Sequence, residues 1–270
     1  MSQEDQLPDW QSKAPPPAEQ PAVARIAVGR VARDAFAGLR ARFGDVMALA
    51  AILVLPPAVL LGFVAGDPDM AMIWLVLANL PVLAFEGAVI RLTFAAMAGM
   101  PPPPVGETLR VAFVRLSQLF SIFALTFSPI LLAVAVLSLI GQTALLAASP
   151  LVAVAALALK MLLIAAPALV MLEGLPAFPA MRLSVRLTRG NRWRLILIVL
   201  IIGLLEVITF GVTYGAQALV ELFASKETAT RIGAFVAEPL ITLVAEPLGA
   251  ALVAATYLQL RRIQVAAAVQ

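Results

Sequence analysis

The chain contains no cysteine and no histidine. That double absence removes thiol catalysis, disulfides, Cys or His metal sites, His-ligated haem and imidazole acid–base chemistry. No cofactor and no metal centre is therefore expected. Charge is also scarce: 13% of residues are charged and 62% hydrophobic, where a soluble globular domain has about a quarter charged and about half apolar. A chain this poor in charge reads as an integral membrane protein. What chemistry remains rests on Glu, Asp, Lys, Ser and Tyr, and no catalytic motif is present, so a non-enzymatic protein without nucleic-acid partners is the expectation.

Acids are missing over one long stretch. After Glu173 none occurs until Glu206, while Arg182, Arg186, Arg189, Arg192 and Arg194 fall between two apolar runs. Read as a helix from Pro176 to about Thr188, the spacing puts Arg182, Arg186 and Arg189 on one face and Ala180, Leu183 and Leu187 on the other. Gly190 then stops it. A short basic amphipathic helix between membrane spans belongs at the cytoplasmic surface, where guanidinium groups meet anionic headgroups.

The predicted fold is all-α: a polytopic six-helix transmembrane bundle with proline-kinked helices and short cytoplasmic amphipathic helices. Residues 1–21 are polar and proline-rich with an acidic start, so a disordered cytoplasmic tail without signal cleavage is expected. Residues 22–43, carrying Arg30, Arg33, Arg40 and Arg42, read as an amphipathic juxtamembrane helix, either headgroup-binding or a charged lead-in to the first span. The six-span domain covers 44–262, and 263–270 form a short cytoplasmic tail. Spans need about 20 apolar residues, and segments at about 45–65, 71–98, 117–140, 151–172, 195–217 and 234–258 meet that length. GQTALLAASP, before the fourth span, reads as an uncharged turn.

Sixteen of the basic residues, Arg110 and Arg115 among them, fall on one side of this arrangement, and only Lys226 and Arg231 on the other. The positive-inside rule then puts both termini in the cytoplasm. Five of the six segments contain proline, whose freed carbonyls need other donors. Lys160, Glu206 and Glu246 lie near mid-depth by residue count, and Glu238 nearer the outer surface. Isolated midplane charges cost about 2.5–3.5 kcal/mol on insertion scales, so they pair, face a wet cavity, or are neutral. Pairing of Lys160 with Glu206 or Glu246 is one reading; a proton or cation site is the other. A weak echo, Phe85-Glu86-Gly87, Leu172-Glu173-Gly174 and Ala245-Glu246-Pro247, is compatible with three hairpin-like repeats.

The stretch LEGLPAFPAMRLSVRLTRGNRWR and the terminal EPLGAALVAATYLQLRR resemble a family of six-span bacterial proteins, the glycerophosphoryl diester phosphodiesterase membrane domain and its YciC-like relatives. The matching residues are Glu173, Gly174, Ala180, Arg182, Ser184, Leu187, Thr188, Gly190, Trp193, Tyr257 and Arg261. The phosphodiesterase activity in that name belongs to a separate soluble barrel, for which this chain has neither the histidines nor the length. The resemblance implies a stand-alone domain of the bacterial inner (plasma) membrane that binds lipid, anionic lipid especially, or anchors a protein partner or a second copy. The alternative is a transporter or lipid-translocating protein working through the Lys160, Glu206 and Glu246 cluster.

Overall fold

Every described element in the computed structural model, which describes residues 25–57, 68–225, 228 and 238–269, is helical. In chain order the helices are α1 (Val28–Ala41), α2 (Phe43–Leu53), α3 (Pro68–Met97), α4 (Val105–Val114), α5 (Leu116–Ile140), α6 (Gln142–Leu163), α7 (Ala177–Leu187), α8 (Arg192–Glu221) and α9 (Glu238–Val269). A three-residue turn, Ala166–Ala168, and a π-helical turn, Leu169–Glu173, connect α6 to α7. The 1–21 tail, the end of the first apolar segment, Lys226, Arg231 and the start of the sixth segment lie outside the described residues.

Four described segments are long and apolar enough to cross a membrane: Asn79–Met97, Leu116–Ile140, Ala147–Glu173 and Leu243–Ala266. The chain is thus an all-helical membrane protein. Its centre is α3 against α9, since 61% of each of their apolar windows is buried, against 6% for α5. Small residues make that approach possible. Ala250, Ala251, Ala254 and Ala255 of α9 are buried, as are Ala84 and Ala88 of α3, the arrangement by which membrane helices pack closely without a hydrophobic driving force. At Gly87 a Cβ would lie 2.9 Å from Leu119 Cδ1 and Met171 Sδ, so glycine sets how near α5 and the π-turn come to α3. Thr93 and Thr256 are buried but return their hydroxyls to their own helices, at Val89 O and Leu252 O, both 2.7 Å. Neither hydroxyl is then left without an acceptor.

Several boundaries depart from the sequence expectation. The turn expected over GQTALLAASP shrinks to Gly141 alone, and Gln142 opens α6 with Pro150 inside it. Gly141 has φ 135°, a conformation that Cβ-bearing residues avoid, so one glycine reverses the chain. The Ala and Leu residues beyond it favour helix and pack α6 along α5. The 22–43 helix starts later, at Val28, because the backbone of Ile26 and Ala27 is engaged elsewhere. It also breaks at Arg42, which has φ −122°, before α2 begins. Residues 263–269, expected as a tail, continue α9.

Candidate functional site

Arginines expected to act alike fall into two groups. The first group holds the bundle together at one end. The Arg115 guanidinium donates through Nη1 to Val170 O and to Met171 O (2.8 Å), carbonyls of the π-turn. Burial, with Arg91 nearby, lowers the Arg115 pKa from its ordinary value, yet arginine stays charged far above neutrality. Gly174 follows the turn with φ 71°, and a Cβ there would lie 2.9 Å from Arg115 Nη2. Both the dihedral and the space therefore require glycine. Arg91 pairs with Glu107 of α4.

Next to this lies a three-residue knot. Glu173 Oε1 accepts from the Tyr257 hydroxyl and from Arg261 through Nη2 and Nε (2.8 Å). The Arg261 guanidinium carbon stands 5.8 Å from the Tyr257 ring centre, within cation–π range. The Tyr257 ring meets Phe94 of α3 at 5.7 Å. These contacts tie the end of the π-turn to α9 and α3.

Arg194 and Asn191 complete the first group. Asn191 Oδ1 accepts from Ile26 N–H (2.9 Å), Arg194 Nη1 donates to Ile26 O (2.6 Å), and Gln259 Oε1 accepts from Ala27 N–H (3.3 Å). Satisfied this way, the backbone before α1 has no need to be helical. Arg115 and Arg194, both expected among the headgroup-binding arginines, are thus engaged with backbone carbonyls of the protein itself.

The second group is free. Arg110, Arg182, Arg186, Arg189 and Arg192 are exposed and have no hydrogen-bond or ion-pair partner among the described residues. Three of them belong to α7 and the turn after it. Gln118 Oε1 accepts from Ala177 N–H (2.9 Å) at the start of α7, where Pro176 has no side-chain acceptor to offer. Ser184 donates to Leu162 O (2.8 Å) and accepts from Ala165 N–H (3.2 Å), clasping α6 where Pro167 interrupts it. The buried face of α7 is Ala177, Ala180 and Ser184. Leu183 and Leu187, expected on the face opposite the arginines, sit on its flank instead, because small residues give the closer approach. Leu183 joins Arg182 and Arg186 in a groove of about 530 Å³ whose other walls are Leu175, Phe178 and Pro179. Phe178 and Trp193 are 70% and 85% exposed beside these arginines. Gly190, with φ 86°, turns the chain before α8.

A second constellation lies deeper. Lys160 Nζ of α6 donates to Glu206 Oε1 of α8, with side chains 34% and 49% exposed. Glu86 of α3 and Glu246 of α9 bring their carboxyl groups within hydrogen-bonding reach of each other, and Lys160 and Glu206 lie within electrostatic range of Glu86. Four helices therefore contribute one lysine and three glutamates. Lys160 is thirteen residues from Glu173 along the chain, about 20 Å at 1.5 Å per residue, which sets the cluster well below the arginine end. Glu86 was not among the expected mid-depth charges, although it lies about fifteen residues into the 71–98 segment and the count applied to Lys160 would have found it. The echo does not make Glu86 and Glu173 equivalent: Glu86 pairs with Glu246 in the deep cluster and Glu173 belongs to the knot. Glu238 opens α9, and its side chain lies outside the described residues.

The fold and these sites define the class, a helical membrane protein with an arginine-rich, tightly packed end. Compared with known proteins, no family model, no curated protein and no solved structure matches the chain.

Proposed function

We propose that the protein is a non-enzymatic inner-membrane domain of six spans whose basic end faces the cytoplasm and holds anionic lipid. The observation that carries this reading is the division of the arginines. Arg91, Arg115, Arg194 and Arg261 have partners within the protein, whereas Arg110, Arg182, Arg186, Arg189 and Arg192 have none among the described residues. Unpaired guanidinium groups are available to headgroup phosphates, which they bind bidentately. Exposed Trp193 supplies an amphipathic ring of the kind typical of a headgroup-level belt, and exposed Phe36, Phe113 and Phe178 add apolar surface. The resemblance to the glycerophosphoryl diester phosphodiesterase membrane domain and YciC-like proteins fits such a role and adds the bacterial setting. In this reading the family-like residues Glu173, Gly174, Ser184, Tyr257 and Arg261 build the scaffold that presents the free arginines.

Lipid retention tests it. Each arginine near an anionic surface contributes up to about 1 kcal/mol, so replacing Arg182, Arg186 and Arg189 with Gln weakens retention of phosphatidylglycerol by about 2–3 kcal/mol at low salt. High salt reproduces the loss in the unaltered chain. Unchanged co-purification of anionic lipid in the triple variant would leave these arginines with orientation alone as their task.

A second reading, transport, draws on the deep cluster. There one lysine and three carboxyl groups from four helices come together, and ionisable groups within membrane spans mark proton and ion pathways. Proteoliposomes carrying a pH gradient separate the readings. A proton flux above empty vesicles that Glu246→Gln abolishes supports transport; its absence supports the lipid-holding domain.

A further inference from the structure

We infer that the groove over α7 is a discrete site for one anionic phospholipid, its phosphate between Arg182 and Arg186 and the upper part of its acyl chains against Leu175, Phe178 and Leu183. This rests on the proposed lipid-holding function and narrows it from a charged face to a single site.

Three features carry the inference. The first is geometry. Arg182 and Arg186 are four residues apart on α7, so their side chains leave neighbouring turns on the same side, and both line one groove. Two guanidinium forks converging on one concavity match the several oxygens of a phosphate better than they match isolated carboxylates. The second is charge. No acid lines the groove, and Glu173, the nearest acid in sequence, is occupied by Tyr257 and Arg261. The two positive charges therefore lack an internal counterion among the described residues. The third is the remaining lining. Leu175, Phe178, Pro179 and Leu183 are apolar, so the arginines stand over a surface suited to methylenes. A soluble phosphorylated metabolite or an acidic peptide would leave that surface wet. At about 530 Å³ the groove is within the range of small-ligand clefts, ~300–1,000 Å³, which suits one headgroup with the start of its chains.

Arg189 and Arg192 provide a charge-matched comparison, because they are exposed and free but do not line the groove. The experiment uses the full chain in nanodiscs of dioleoylphosphatidylcholine, with dioleoylphosphatidylglycerol titrated in as the probe and bound lipid read by native mass spectrometry. The expected result is one saturable phosphatidylglycerol per chain. R182Q/R186Q weakens it about thirtyfold, a factor of about five for each arginine, while R189Q/R192Q changes it by less than about twofold. Phe178→Ala keeps every charge and still weakens the probe, which guards against a double variant that fails to fold. Equal losses in the two double variants would overturn the discrete site and leave the basic lipid-facing surface standing. No loss in either would overturn both. Displacement of the probe by water-soluble glycerol phosphate, or by an acidic peptide, at the concentrations at which the lipid itself competes would overturn the lipid as occupant.

Discussion

Arg115 and Arg182 carry the same charge at the same end of the bundle, yet their surroundings give them different tasks. Arg115 is half-buried and donates to Val170 O and Met171 O, so Arg115→Gln strips two carbonyls of a charged donor. A buried group left unsatisfied costs about 1–3 kcal/mol, and the thermal midpoint in detergent is expected to fall accordingly. Gly174→Ala meets the same guanidinium from the other side, at 2.9 Å and with φ 71°. Residues held in such backbone regions cost about 1–3 kcal/mol. If Gly174→Ala melts with the unaltered chain, the close approach of Arg115 is wrong. The sequence could place both arginines near a helix end, because the positive-inside count needs only their positions. It could not separate them, because a partner such as the Val170 carbonyl carries no residue-type signal. Arg194 and Ile26 are joined across 168 residues of chain by the same kind of contact.

At the scale of helices, length and apolarity located α3 and α5 to within a few residues, whereas α6 begins nine residues before the expected fourth span and α9 runs eleven beyond the expected end of the sixth. Gly141 escaped that reading. A single residue at φ 135° reverses the chain, and the helix-favouring residues after it look in composition like a small-residue loop. Glu206 and Glu246 were both open to the sequence as partners of Lys160, and the structure pairs Lys160 with Glu206, the acid on the next span, as the tendency of consecutive spans to be neighbours favours. Glu86 and Glu246 come from α3 and α9, which are distant in sequence and meet along their packed alanines and at Phe94 and Tyr257. The Lys160–Glu206 contact can be measured as a coupling. Lys160→Met leaves a carboxylate without its cation and destabilises the protein in detergent; Glu206→Gln in the same chain recovers much of the loss, with a coupling of about 0.5–3 kcal/mol, the range for residues in contact. Strictly additive effects of the two changes would show that the pair contributes nothing. At the start of α1, Asn191→Ala removes the acceptor for Ile26 N–H, and faster amide exchange at Ile26 and through the first turn of α1 is the expected outcome, read by hydrogen–deuterium exchange.

For the molecule as a whole, the packed end and the apolar surface divide the labour. Buried side chains concentrate where α1, α2, α3 and α9 meet, while α5, the far half of α8 and the residue after it expose Leu131, Leu132, Leu139, Leu204, Val207 and Leu222. In water such a surface would be an aggregation hazard; in a bilayer it is the surface that lipid covers. Membrane character was legible from composition alone, because no arrangement of a chain that is 62% hydrophobic can hide its apolar residues inside one small core. The central claim is that the arginine end faces the cytoplasm, and topology reporters test it most directly. Fusions after Arg262 and after Ser225 are read with one enzyme active only in the cytoplasm and another active only outside it. The account predicts cytoplasmic activity at Arg262 and external activity at Ser225. Cytoplasmic activity at Ser225, or external activity at Arg262, would contradict it.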